Sequence, residues 1–107
     1  MTALTYQILL ALADTDRHGY GVIKQIEERE GAGAAPSTGA LYLALQRMER
    51  EGLIAEAKPP RDEDDARRRY YTVTRLGRSL AEQESTRLAT LVRIARQKKL
   101  LTGEARA

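Results

Sequence analysis

Residues 37–52, STGALYLALQRMEREG, contain a start signal, a period and a stop. Ser37 offers a side-chain oxygen to a free backbone N–H of a first helical turn, the N-cap role. Gly52 follows the last periodic residue and tolerates the left-handed conformation that ends a helix. Leu41, Leu45 and Met48 recur at i, i+4 and i+7, so the spacing predicts a helix with one buried face. The opposite face carries Gly39, Leu43, Gln46, Arg47 and Arg50, with Tyr42 on its flank. It is rich in hydrogen-bond donors and poor in acids. Such a face suits plain solvent or a polyanionic groove, and the flanking segments decide between the two.

Upstream, residues 2–13 form a first helical pattern. Leu4, Ile8, Ala11 and Leu12 share a face, and Leu9 and Leu10 widen it. A helix apolar over much of its circumference has more than one partner surface. Asp14 to Arg17 read as a polar turn, and His18-Gly19-Tyr20-Gly21 opens a second helix that reaches about Glu30. Val22, Ile23 and Ile26 give this helix its buried face, with Tyr20 as an aromatic anchor. Lys24 and Arg29 among Glu27, Glu28 and Glu30 make a solvated outer face. His18 reads as a turn or capping residue, and the two glycines as tight backbone geometry at a helix start. Residues 31–36, GAGAAP, are a flexible link whose proline turns Ala35 away from helix.

Downstream of Gly52 the period changes from 3.6 to 2. Residues 53–58, LIAEAK, and 69–74, RYYTVT, predict two strands. Tyr71 and Val73 share one face, and Tyr70 and Thr72 the other. PPRDEDDARR between them reads as a hairpin tip. Its cluster Asp62-Glu63-Asp64-Asp65 lacks the glycine and the downstream glutamate of a calcium loop and reads as solvated. Thr74 is placed to N-cap a last helix, and Gly77 to admit close approach of a neighbouring backbone. That helix is expected from Arg75 to about Leu101, ahead of Gly103. Leu76, Leu80, Leu88, Leu91, Ile94 and Ala95 form its apolar stripe, with Arg78, Glu82, Arg93 and Arg96 opposite. At 1.5 Å per residue it would be on the order of 40 Å long, more than a small three-helix domain can cover. A second copy of the chain is the simplest partner for the remainder.

Composition narrows the function classes. The chain has 107 residues, which predicts one domain. Cysteine is absent, so there is no disulfide, thiolate metal site or thiol nucleophile. His18 is the single histidine. No spacing places a nucleophile beside a base, so no catalytic residue, metal or cofactor is expected. No apolar run approaches the roughly 18 residues needed to span a bilayer. The first residues lack the cationic start of a secretion signal, and the expected location is the cytoplasm. Net charge is +3. Residues 75–107 hold eight basic and three acidic residues, a net +5, whereas residues 1–74 hold ten and twelve, a net −2. Nucleic-acid binding by the first part must therefore use a local patch rather than a global field.

Three helices, a two-stranded hairpin and a long final helix are the order of a winged helix-turn-helix, a mainly α (α+β) fold. Residues 1–74 would form the winged domain and residues 75–107 a dimerisation helix, together one compact unit. In such a domain the third helix enters the major groove and the hairpin approaches flanking phosphate. Gln46 can pair with adenine, Arg47 or Arg50 can reach guanine or phosphate, and Leu43 can touch a thymine methyl. Lys58, Arg61, Arg67, Arg68 and Arg69 place cations at the base and tip of the hairpin. The alternative function is a winged-helix protein-interaction module without specific DNA binding.

Four stretches in register resemble the short PadR-type transcriptional regulators: ILLALAD near the start, HGYGVIKQIEE at 18–28, ALYLALQRMEREGLI at 40–54 and RRRYYTVTRLG at 67–77. The resemblance covers nearly the whole chain. It implies a homodimeric repressor acting on double-stranded DNA at a pseudo-palindromic operator, with a possible small-molecule effector. It also implies that Ser37, Thr38, Gly39, Tyr42 and neighbouring third-helix residues touch DNA, with the wing arginines on phosphate. The final helix would dimerise with the first helix of the partner, through Leu4, Ile8, Leu88, Leu91, Val92 and Ala95. The sequence departs from the family pattern at Thr38-Gly39-Ala40, at Leu43 where a proline is usual, and in its long acidic wing tip.

Overall fold

The computed structural model describes residues 1–102. Helix α1 (Ala3–Leu12) leads into a short strand β1 (Arg17–His18) and helix α2 (Gly19–Glu30). A 3-10 turn at Ala32–Ala34 precedes α3 (Thr38–Arg50), and β2 (Ile54–Ala57), β3 (Tyr70–Val73) and α4 (Arg75–Gln97) complete the chain. Four helices thus surround a small antiparallel sheet of order β1-β3-β2.

The capping signals at His18, Ser37 and Thr74 act where the sequence places them, and Thr2 does the same for α1. Thr2, His18, Ser37 and Thr74 each accept a backbone N–H of the first turn of the helix that follows. Gly52 ends α3 at φ +79. Its N–H reaches the Glu49 carbonyl, and the Leu53 N–H reaches that of Met48 at 2.9 Å, the paired bonds of a Schellman stop. Leu53 is buried beneath this turn, so the stop also directs the chain into the sheet. Helix α4 ends sooner than Leu101 because Lys99 takes the left-handed conformation, at φ 61. Gly103, read as the stop, lies outside the described residues.

The core is shared by α1, α2, α3 and the sheet. Ile8, Leu9 and Leu12 meet Val22 and Ile26, Leu41, Leu45 and Met48, and Ile54 and Tyr71. Helix α1 is central, which is why its apolar residues spread round the helix. The sheet has three strands rather than two. Arg17 and His18 pair with Tyr71 and Tyr70 on the free edge of β3. Two residues carry no period, so this segment reads only as a turn from its neighbours.

Tyr20 is not an anchor; it is 57% exposed. Gly19 occupies the inward position instead, and one residue on, the helix has turned by about 100°. The two β3 tyrosines lie on opposite faces, yet both are buried. Tyr71 joins the core, while Tyr70 is covered by the wing loop, through contacts described below. Helix α4 packs its first turns on α1 and β3 and then projects, so the molecule extends 50 Å along its long axis. Among the described residues no helix is long and apolar enough to cross a membrane.

Candidate nucleic-acid interface

Burial of Leu41, Ala44, Leu45 and Met48 fixes the roll of α3. Thr38, Gly39, Tyr42, Leu43, Gln46 and Arg50 are consequently exposed together along its outer ridge. Ser37 stands at the head of this ridge, where its hydroxyl oxygen accepts the Ala40 N–H at 3.1 Å and its own proton stays available. Leu43, 69% exposed, has no intramolecular reason to be apolar. Tyr42 is held from below. A Cβ built at Gly19 would overlap the Tyr42 hydroxyl, so the first glycine of HGYG makes room for a ring on α3.

Arg47 does not join the ridge. Its guanidinium turns back, donating to Thr5 Oγ1 at 2.8 Å and to Glu51 Oε1 at 3.1 Å. Thr5 is itself buried and linked to Thr2 Oγ1 at 2.8 Å. Arg47 therefore fastens α3 to α1, while Arg50 remains exposed with no ion pair among the described residues. The wheel position of Arg47 is outward, but an arginine side chain is long enough to return to its own domain.

The wing cations divide in two. Lys58 and Arg61 are exposed and unpaired among the described residues. Arg67 contacts Asp65 at 3.3 Å, and Arg69 contacts Glu56 at 2.8 Å and Glu49 at 3.7 Å. Arg68 contacts Glu63 at 3.5 Å and Asp65 at 3.9 Å. The Arg67 and Arg69 pairs are exposed, and such pairs are weak and open to exchange with phosphate.

The acidic tip is not a uniformly solvated loop. The Glu63 side chain is 5% exposed. It accepts the Tyr70 O–H at 2.5 Å and the Asp65 N–H at 3.0 Å, which folds the loop back over β3. The Tyr70 hydrogen bond, with the Asp65 N–H and the Arg68 charge, holds the Glu63 carboxyl down at about 2. A carboxyl that is more acidic in the folded chain stabilises the fold above its unfolded range and loses that contribution as pH falls. We expect Glu63→Gln to be less stable than the parent at neutral pH. The gap should close between pH 4.5 and about 2, as thermal melts across that range would show. A gap independent of pH would mean that the carboxylate charge is not what ties the loop down.

His18 links α2 to the wing. Its Nδ1 accepts the Gly21 N–H at 3.1 Å, and its Nε2 lies 3.4 Å from Arg68 Nη1. Its ring stacks 6.3 Å from Tyr20 and meets Tyr70 edge-on at 5.2 Å. Partial burial and then the Arg68 charge lower its pKa, against a smaller opposing effect of Glu63.

A second surface lies on α4. Leu91, Val92 and Ile94 are exposed, with Leu88 and Ala95 half-buried beside them. Of the α1 residues expected there, Ile8 is fully buried in the core and unavailable, and Leu4 packs against that core. Leu10 is the exposed large apolar residue of α1 instead. Tyr6 joins α1 to α4 within one chain by a 2.6 Å hydrogen bond to Ser85. A cleft of about 310 Å³ between these helices is lined by Leu9, Leu10, Ala13, Ala81 and Ser85 among others.

Helix α3, the wing hairpin and the projecting last helix together define a winged helix-turn-helix. Residues 8–83 match the PadR-like family of transcriptional regulators, and the chain belongs to that family. It is 37% identical over 84 residues to an uncharacterised 37.1 kDa protein from a Streptomyces fradiae transposon, covering 78% of this chain but only 22% of that protein. A PadR-family regulator from Clostridium difficile superposes with a TM-score of 0.78 at 28% identity, covering 90% of this chain and 97% of its own. The Bacillus subtilis PadR solved with operator DNA shares the fold, with a TM-score of 0.65 at 22% identity, over 77% of this chain and 46% of its own.

Proposed function

We propose that this chain is a homodimeric, cytoplasmic repressor that binds a pseudo-palindromic operator in double-stranded DNA and is released by a signal. The observation that carries this reading is the exposed ridge of Thr38, Tyr42, Leu43, Gln46 and Arg50 on α3, together with the exposed wing cations Lys58 and Arg61. Membership of a family of transcriptional regulators supports it. Gln46 supplies the donor–acceptor pair that adenine requires, and Leu43 an apolar contact for a thymine methyl. The winged domain, residues 1–74, reads the DNA, and the C-terminal segment, residues 75–107, joins two copies through α4. A signal acts by changing the angle between the two winged domains. The α1–α4 cleft is the place for a small effector. The chain has no Trp and no Phe to build a stacking slot for it.

The test is binding to the chain's own upstream duplex against a random duplex, at increasing salt. Upstream binding should fall by about 10³-fold or more between 50 and 200 mM salt if six or more phosphates are contacted. Tyr42→Ala with Gln46→Ala should abolish the preference for the upstream duplex, because base contacts carry the sequence information. Equal, weak binding to both duplexes would defeat this reading and favour a protein-interaction module.

A further inference from the structure

Arg47 stands in the middle of α3 beside Gln46, yet its side chain leaves the ridge. The guanidinium forks between two helix ends. Nη2 donates to Thr5 Oγ1 at 2.8 Å, in the first turn of α1. Nη1 donates to Oε1 of Glu51 at 3.1 Å, the C-cap of α3. The Thr5 hydroxyl also meets Thr2 Oγ1 at 2.8 Å, and that same oxygen accepts the Thr5 N–H at 3.1 Å to cap α1. The middle of α3 is thus tied to the capped start of α1.

The residue type suits a tether. A guanidinium has several donors in a rigid planar fork and no acceptor, so it holds a hydroxyl and a carboxylate at once in one geometry. The Leu41-Leu45-Met48 row settles which face of α3 points inward, but apolar burial is non-directional. The bond to Thr5 adds a direction, and with it a set height of α3 along the start of α1. Tyr42, Leu43, Gln46 and Arg50 ride on that helix. Hydrogen bonds weaken steeply with misalignment, so a small shift of α3 is felt by every base contact on the ridge.

We propose that Arg47 is a positioning residue for DNA recognition: through Thr5 it sets the α3 ridge against α1, without itself touching the duplex. The inference rests on the DNA-binding reading and deepens it. Arg50, exposed one turn further on, is the cation that α3 keeps for the duplex.

Four variants of the full chain separate positioning from contact. Arg47→Met keeps an unbranched stem and removes the fork. Arg47→Lys keeps the charge without the fork. Thr5→Val removes the acceptor at a side chain only 3% exposed, out of reach of DNA. Thr5→Ser keeps that acceptor. Each would be titrated with the upstream and the random duplex over a salt series, after thermal melts confirm a folded chain. Arg47→Met, Arg47→Lys and Thr5→Val should each weaken upstream binding by about tenfold, within the range for coupled contacts. Thr5→Ser should bind as the parent. Arg47→Met combined with Thr5→Val should be no weaker than the weaker single variant. The slope of log affinity on log salt should stay that of the parent, because no phosphate contact is lost.

A direct phosphate contact gives the opposite pattern and would overturn the proposal. Arg47→Met would then flatten the slope by about 0.9, Arg47→Lys would restore it, and Thr5→Val would bind as the parent. Additive losses in the double variant would overturn it too, since the two side chains would then act separately. If Thr5→Val fails to fold, Arg47→Lys decides, because a lysine rescues a contact but not a tether. Amide chemical shifts of the free chain give a readout without DNA. Thr5→Val should move the amides of residues 42–50. If the parent shows no preference for the upstream duplex, the DNA reading falls on its own. The amides then decide the tether, and unmoved α3 amides in Thr5→Val would overturn it.

Discussion

Gly77→Ala is expected to cost about 3 kcal/mol or more of folding stability, the upper end of the range for overpacking a tight contact. For a chain of this size that lowers the melting temperature by on the order of 15 °C. Gly77 is buried in the first turn of α4. A Cβ there would overlap the Leu53 carbonyl oxygen and sit 3.0 Å from Val73 Cγ2. The carbonyl cannot retreat cheaply. It accepts the Thr74 N–H at 3.1 Å, and the adjacent Gly52 carbonyl accepts the Thr74 hydroxyl at 2.6 Å. These bonds tie the end of α3 to the start of α4. The sign makes the test sharp. In a helix without such a contact, Gly→Ala stabilises by roughly 0.5–1 kcal/mol. Thermal melts at fixed protein concentration decide it, and a Gly77→Ala chain as stable as the parent would mean that α4 does not dock on Leu53.

The same glycine marks what a sequence can disclose. Caps, stops and periods are short-range, so Ser37, Gly52, Thr74 and the Leu41-Leu45-Met48 row were legible from neighbours within a few residues. Their agreement with one topology is what made the winged fold readable. Along α3, burial of one row exposes the other, so the grouping of Tyr42, Leu43 and Gln46 followed directly. What escaped depends on partners distant in the chain. Arg47 sits on the outer face by angle but is claimed by Thr5, 42 residues away. Glu63 lies in an acidic run that looks solvated, and it is turned inward by Tyr70 on β3, with Arg68 and the Asp65 N–H. Gly19 needs its small size because of Tyr42, a residue of another helix. Ile8 belongs to the apolar face of α1, but that helix has a core face and an α4 face, and one sequence pattern cannot divide them. The edge strand Arg17–His18 exists only because β3 has a free edge to offer.

Leu91→Asp should convert the proposed dimer to a monomer and weaken operator binding by about 10²–10⁴-fold, the range lost when two linked sites become one. Leu91 is 48% exposed in the single chain and lies outside the core cluster, so the substitution removes nothing that holds one winged domain together. Val92 and Ile94 are exposed on the same stretch, beyond the point where Leu80 and Ala81 still pack on the core. A row of this kind on a projecting helix is stable in water only at a cost, and burying each Leu or Ile against a second copy contributes about 1.5–3 kcal/mol. An aspartate in that seam would bring an unpaired charge out of water, which opposes association directly. Sedimentation and circular dichroism separate the effects. The expected result is a folded monomer whose two winged domains no longer share one effective concentration at the operator. A parent chain that sediments as a monomer at micromolar concentration would defeat the dimer itself. A Leu91→Asp chain that remains dimeric would place the interface on another face, with the exposed Leu10 of α1 the next residue to replace.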